Sequence, residues 1–226
     1  MKRKIILAST SPRRHTLLKN VVEEFSVCAP TLAEEVLDPT LALPQALEKL
    51  AQEKAMSVAK TVPEALVIGA DTIVCKDGKR LGKPQDETEA RAMLRDLSDA
   101  THEVITAVAM VCVESNTVVT NHYVSEVTFR ALTEEDISVY IATGEPMDKA
   151  DGQIWDTNEL IQKGWMDENG RWKTNNGMPS ECFDKAGAYG IQGEGGKFVT
   201  HLSGDFENVV GLPTVLVREM LEEALK

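Results

Sequence analysis

Ile5-Ile6-Leu7-Ala8-Ser9-Thr10-Ser11-Pro12-Arg13-Arg14 is the stretch from which the fold is read. Four apolar residues make a short buried strand and three small polar residues a loop. Pro12 then suits the first turn of a helix running on through Leu17, Leu18, Val21 and Val22. Two arginines in a first helical turn oppose the positive end of the helix dipole, an unfavourable placement unless an anion binds there too. With the Ser9 and Ser11 hydroxyls and the free N–H groups of that turn, Arg13 and Arg14 complete a cradle for phosphate. The plainer reading of the same residues is a capped helix with solvated arginines.

Further along, helices and strands alternate. A second helix starts near Pro44, and Val67-Ile68-Gly69-Ala70-Asp71-Thr72-Ile73-Val74 reads as a strand followed by an Asp77-Gly78 turn. Asp86 caps a third helix to about Leu97, with Glu89 placed to complete a capping box. Residues 102–114 and 117–130 are β-rich runs separated by Ser115-Asn116, a hairpin. Thr133 caps a helix through Ile137, Tyr140 and Ile141 that stops at Gly144, and residues 213–226 form an amphipathic helix. No long-period repeat is present. The class is α/β with a mixed sheet.

The chain has 226 residues, 42% hydrophobic and 27% charged, ordinary for a globular enzyme and unlike a disordered chain. Thirty-six carboxylates against 24 Lys and Arg give a net charge of −12, which repels long polyphosphates and argues against coating nucleic acid. A small anion remains within reach of a local basic cluster. No run approaches the roughly 20 apolar residues of a membrane span, and the apolar run after the basic N-terminus is too short for a signal peptide. Cys28, Cys75, Cys112 and Cys182 show no C-x-x-C or framework spacing and read as reduced thiols, so a cytoplasmic protein is expected.

Three further features carry chemistry. Asp71 interrupts an apolar strand, where a carboxylate needs a cation, a metal or a substrate proton as partner. Lys54 falls on the inward stripe of the second helix with Leu47, Leu50, Ala51, Ala55 and Val58, so it either snorkels to an edge or points into a cleft. Lys83 sits in Gly82-Lys83-Pro84, a loop whose glycine permits close approach and whose proline stiffens the exit. Residues 184–196 hold five glycines in thirteen, a stretch that lets backbone approach a flat ligand, and Gln192 offers both donor and acceptor to a base edge. Zinc-hydrolase spacings, a G-x-S-x-G elbow and a Walker sequence are all lacking.

Taken in order, Leu7-Ala8-Ser9 with Ser11-Pro12-Arg13-Arg14, Leu50-Ala51 with Glu53-Lys54-Ala55, Gly69-Ala70-Asp71-Thr72, Gly82-Lys83-Pro84, Gly187-Ala188-Tyr189-Gly190-Ile191-Gln192-Gly193 and Val210-Gly211-Leu212-Pro213 closely resemble the Maf family. This is a family of nucleoside triphosphate pyrophosphatases named for septum formation. The resemblance covers residues 4–225. It implies an elongated α/β mixed-sheet fold of one domain, residues 1–226, with two lobes around a central cleft, similar to inosine triphosphate pyrophosphatases. It also implies a homodimer, and hydrolysis of a nucleoside triphosphate to the monophosphate and pyrophosphate with Mg2+ or Mn2+.

By the same resemblance Asp71 is the base that activates water, while Arg13, Lys54 and Lys83 neutralise phosphate charge. Ser9 and Arg14 join them in binding phosphate, and Glu35 (or, in a register shifted by one, Glu34) joins Asp71 in holding the metal. Arg13, Thr72 and Gln192 match the family's dTTP/UTP branch, so dTTP, UTP and modified pyrimidine triphosphates are the expected substrates. A sister branch acting on 7-methyl-GTP carries Ser-Asp-Gln in place of Ala70-Asp71-Thr72 and remains an alternative, as does a nucleotide-binding regulator of cell division without catalysis. The resemblance breaks at about 151–183, an inserted segment that carries Trp155, Trp165 and Trp172 between two Asp-Lys-Ala copies, with a short helix expected at 156–162 and a turn at 168–170.

Overall fold

The computed structural model describes residues 3–32, 36–144 and 186–226. The expected helix at 156–162, the turn at 168–170, the inserted segment 151–183 with its tryptophans, and Glu34 and Glu35 lie outside the described residues. In order the elements are β1 (Ile5–Ala8), α1 (Pro12–Lys19), β2 (Ser26–Cys28), α2 (Leu43–Ala59), β3 (Leu66–Lys76), β4 (Lys79–Leu81) and α3 (Glu87–Leu97). There follow β5 (Thr101–Cys112), β6 (Thr117–Phe129), α4 (Glu134–Ala142), β7 (Val199–Ser203), α5 (Phe206–Val210) and α6 (Thr214–Ala224).

The strands form one seven-stranded mixed sheet in the order β2-β1-β3-β5-β6-β7, with β4 pairing β3. β1 pairs in parallel with both β2 and β3, whereas β4 and β7 run antiparallel to β3 and β6. The α/β mixed-sheet class expected from the sequence is what the chain adopts. By contacts it divides into two compact units: Met1–Thr72 with Ile105–Tyr123 and Gly211–Lys226, and Ile73–Val104 with Val124–Val210. Three of the dividing points fall within β3, β5 and β6, and the fourth lies between α5 and α6.

In the first unit β1 is buried along its whole length, and Leu17 and Leu18 of α1 are buried with it. α1 is shorter than its apolar pattern suggests. It stops at Lys19, the Arg218 guanidinium donates to the Asn20 carbonyl just past its end at 2.6 Å, and Val21 and Val22 lie beyond the helix. α2 follows its pattern closely, burying Leu47, Leu50, Ala51, Lys54, Ala55 and Val58 on one face. β2 has no signal in the sequence pattern. All three of its residues are exposed, so it carries none of the alternation that betrays a half-buried strand.

In the second unit Asp86 accepts the Glu89 N–H as the cap of α3, but the Glu89 carboxylate turns to the Gln85 N–H at 2.7 Å instead of closing the box on Asp86. The box does close at α4, between Thr133 and Asp136, and Gly144 ends that helix at φ 77°. No helix among the described residues is long and apolar enough to cross a membrane.

A buried histidine and a half-buried aspartate of this unit pull its acid stability in opposite directions. Burial lowers the His102 imidazole from 6.5 to about 4 and raises the Asp205 carboxyl from 3.8 to about 6. The unfolded chain therefore binds more protons at His102 between pH 6.5 and 4, so that contribution to stability falls as pH falls. At Asp205 the folded chain keeps a proton the unfolded chain has lost, so that contribution falls as pH rises from 3.8 to 6. In the window from 4 to 6 the two offset each other. Asn at position 205 keeps the oxygen that accepts the Glu207 N–H at 2.8 Å while removing the half-buried charge. Asp205→Asn is therefore expected to raise stability at pH 8 by on the order of 1–2 kcal/mol, with a higher thermal midpoint, and to add little below pH 4. Melting curves across that range check it, and a pH-independent difference would contradict the assignment to Asp205.

Candidate functional site

Parallel pairing of β1 with β3 sets Ala8 opposite Gly69. The Ser9–Ser11 loop therefore leaves β1 level with Ala70 and Asp71 of β3, at the C-terminal end of β1, where open α/β sheets place their ligands. Ser9 is buried, and its hydroxyl accepts the Ser11 N–H at 3.1 Å, folding the loop back on itself at the start of α1. Arg13 follows in the first helical turn and is half-buried.

Gly69 fixes the opposite wall. A Cβ at this position would stand 2.4 Å from the Ala51 carbonyl oxygen and 2.8 Å from the Ala55 nitrogen, so α2 lies directly on the backbone of β3. Side chains two apart on a strand share a face, so Asp71 projects on the side where α2 approaches. One helical turn past Ala51, Lys54 meets it: Nζ donates to Asp71 Oδ1 at 2.6 Å, the lysine side chain 7% and the aspartate 16% exposed. The lysine on the inward stripe neither snorkels to water nor lacks a counter-charge. It orients the carboxylate that interrupts the strand.

Arg14 has a different assignment from the one its neighbour suggests. Its Nε donates to the Gly211 carbonyl at 2.9 Å and its Nη2 to Thr72 Oγ1 at 3.0 Å. Thr72 Oγ1 is also 2.9 Å from Thr106 Oγ1 of β5. Because the guanidinium can only donate, the Thr72 oxygen accepts from it, and the Thr72 proton is the one available to Thr106 or to a ligand. Thr106 was not singled out from the sequence. Its signal is a fully buried hydroxyl within an apolar strand, which demands a partner without naming one.

The first unit thus pairs Lys54 with Asp71 and Arg14 with Thr72, and carries Ser9 and Arg13 at the junction of β1 and α1. Lys83 and Gln192 belong to the second unit. There the Gly187 N–H donates to the Gly82 carbonyl at 3.0 Å, which ties the Gly82-Lys83-Pro84 loop to the glycine-rich block. Lys83 is exposed, whereas Gln192 is 2% exposed, a buried amide where the sequence suggested a displayed one.

Among the described residues no three His, Cys, Asp or Glu side chains gather as a metal-binding group. Asp71 nevertheless suits a small hard dication. It supplies a carboxylate with one oxygen engaged by Lys54, and Mg2+ is characteristically held by one or two carboxylates with the remaining ligands from substrate phosphates and water.

Residues 4–163 and 172–224 match the family model described as Maf-like protein; the interruption, 164–171, falls within the stretch set apart in the sequence. The dTTP/UTP pyrophosphatase of Bacillus cytotoxicus is 42% identical over 219 residues, covering 96% of this chain and 94% of that protein. The dTTP/UTP pyrophosphatase of Dictyoglomus thermophilum is 37% identical over 221 residues, 98% of this chain and 96% of that protein. Among solved structures, a HAM1 protein from Coxiella burnetii aligns with 56% of this chain and 73% of its own, at 18% identity and a TM-score of 0.42.

Proposed function

From the premise that the chain belongs to the Maf-like protein family, we propose that it is a nucleoside triphosphate pyrophosphatase acting on dTTP, UTP and modified pyrimidine triphosphates. The observation that carries this reading furthest is the Lys54–Asp71 pair, 2.6 Å apart beside the Ser9 loop. Anion binding alone has no use for a carboxylate among phosphate ligands. Activation of water does.

Asp71 accepts the proton of a water attacking the α-phosphorus, while Lys54 holds the carboxylate in place. The bond from the α-phosphorus to the bridging oxygen breaks and pyrophosphate leaves with the electron pair. Arg13, Ser9 and Lys54 are the groups of the first unit that stabilise the charge gathering on phosphate oxygens. Lys83 and Gln192 are assigned to phosphate and base by the family resemblance. Arg14 contributes by fixing Thr72 against the Gly211 carbonyl. Asp71 and Glu35 would hold Mg2+ or Mn2+, which when bound neutralises phosphate charge and lowers the pKa of water. A cytoplasmic homodimer completes the proposal.

Purified protein incubated with UTP, dTTP, CTP, GTP and 7-methyl-GTP plus Mg2+ or Mn2+ is expected to release pyrophosphate and monophosphate in equal amounts, with UTP and dTTP the preferred substrates. Preference for 7-methyl-GTP would transfer the chain to the sister activity. Release of orthophosphate from the γ position would overturn the bond assigned.

A further inference from the structure

The glycine-rich block of the second unit has an unusual backbone. Gly187 and Ala188 are consecutive residues with φ of 73° and 59°. For alanine that conformation is strained and persists only where surrounding contacts hold it. The next two residues are held from different elements. Tyr189, 4% exposed, shares a 2.8 Å hydrogen bond between its hydroxyl and Nε2 of His102 on β5. The Gly190 N–H donates to the Tyr140 hydroxyl of α4 at 3.2 Å.

Aromatic edges surround the first contact. His102, Phe129 and Tyr189 pack pairwise edge to face with centroids 5.0, 5.3 and 4.7 Å apart. The Tyr140 ring stands edge-on to Phe198 at 5.0 Å. A side chain at Gly195 would strike the Tyr140 hydroxyl at 2.9 Å, so the far end of the block closes on the same group. His102 is 2% exposed, and its Nδ1 has no hydrogen-bond partner among the described residues. An imidazole is an expensive way to fill a core position that packing alone could satisfy with phenylalanine or leucine. What it adds is the bond to Tyr189.

We infer that His102 and Tyr189 form a latch that positions the 187–192 segment, and through it the Gln192 amide, for discrimination of the nucleotide base. The inference rests on the proposed function in taking Gln192 as the group that meets the base. His102 and Tyr189 are positioning residues and touch no reacting atom.

Tyr189→Phe removes only the hydroxyl and leaves the ring packing. In this variant KM for UTP is expected to rise about tenfold with kcat within about twofold, and the preference for UTP over CTP is expected to fall by a similar factor. His102→Leu should behave alike. His102→Gln, whose amide reaches the same point with both a donor and an acceptor, should recover most of the loss. Hydrogen exchange of the 187–192 amides, followed without any nucleotide, is expected to quicken about tenfold in Tyr189→Phe and to return toward the native rate in His102→Gln. Native exchange in Tyr189→Phe would overturn the latch itself. Faster exchange with unchanged KM and selectivity would overturn its link to the base, and an unequal loss in kcat alone would do the same. If the native protein hydrolyses no nucleotide, the proposed function fails while the exchange result still decides the latch.

Discussion

Asp71→Asn is expected to lower UTP hydrolysis by about a thousandfold while UTP still binds, the loss typical of removing a general base. Asparagine is nearly isosteric, and its Oδ1 can accept from Lys54 as Asp71 does at 2.6 Å, so the shape of the site persists. Proton acceptance from water is lost. The substitution also takes the Asp71 charge away from the ammonium of Lys54, 6% exposed, and removing one partner of a buried pair typically costs about 3–5 kcal/mol. Thermal melting must therefore accompany the kinetics. The double variant Asp71→Asn with Lys54→Met removes the buried ammonium as well and should recover stability without recovering turnover. Hydrolysis that survived in a folded Asp71→Asn protein would leave a nucleotide-binding regulator as the better description.

Gly69→Ala is the second large effect. The added methyl has nowhere to go: the Ala51 carbonyl oxygen at 2.4 Å and the Ala55 nitrogen at 2.8 Å are helix backbone, not the end of a side chain that can swing aside. Either α2 lifts from β3 or the strand bends. We expect a loss of about 3 kcal/mol or more, at the upper end of overpacking costs. The same displacement opens the Lys54–Asp71 contact, so kcat should fall even at temperatures where the variant is fully folded. Gly82→Ala supplies the stability control, since a Cβ there meets nothing within 4 Å. Equal melting temperatures for the two variants would show that α2 accommodates the methyl.

The comparison of these two glycines shows where sequence reading succeeds and where it stops. The strand–loop–helix at residues 5–19, the inward stripe of α2 and the cap of α4 depend on neighbours three or four positions away, and local periodicity reports them. That Lys54 lies on a buried face is legible in the same way. That its partner is Asp71, on a strand 17 residues later, is fixed by the approach of α2 at Gly69, which no period encodes. Likewise Arg14 reads as a phosphate ligand from its helical turn, yet its Nε is engaged by a carbonyl 197 residues away. The exposed strand β2 and the short helix α5 leave too few patterned residues to detect, and the Glu89 carboxylate chose between two adjacent N–H groups that the sequence treats as equals.

The division of the chain also bears on synthesis. Gly211–Lys226 belongs to the same unit as Met1–Thr72, so the unit that carries Asp71 and Lys54 lacks α6 until residues 211–226 have left the ribosome. A nascent chain halted before residue 211 exposes the apolar face that Leu216, Val217 and Met220 later cover. The fold of that unit is therefore incomplete until residues 211–226 have emerged, and products cut short before them hold an unfinished core that invites chaperones or proteolysis.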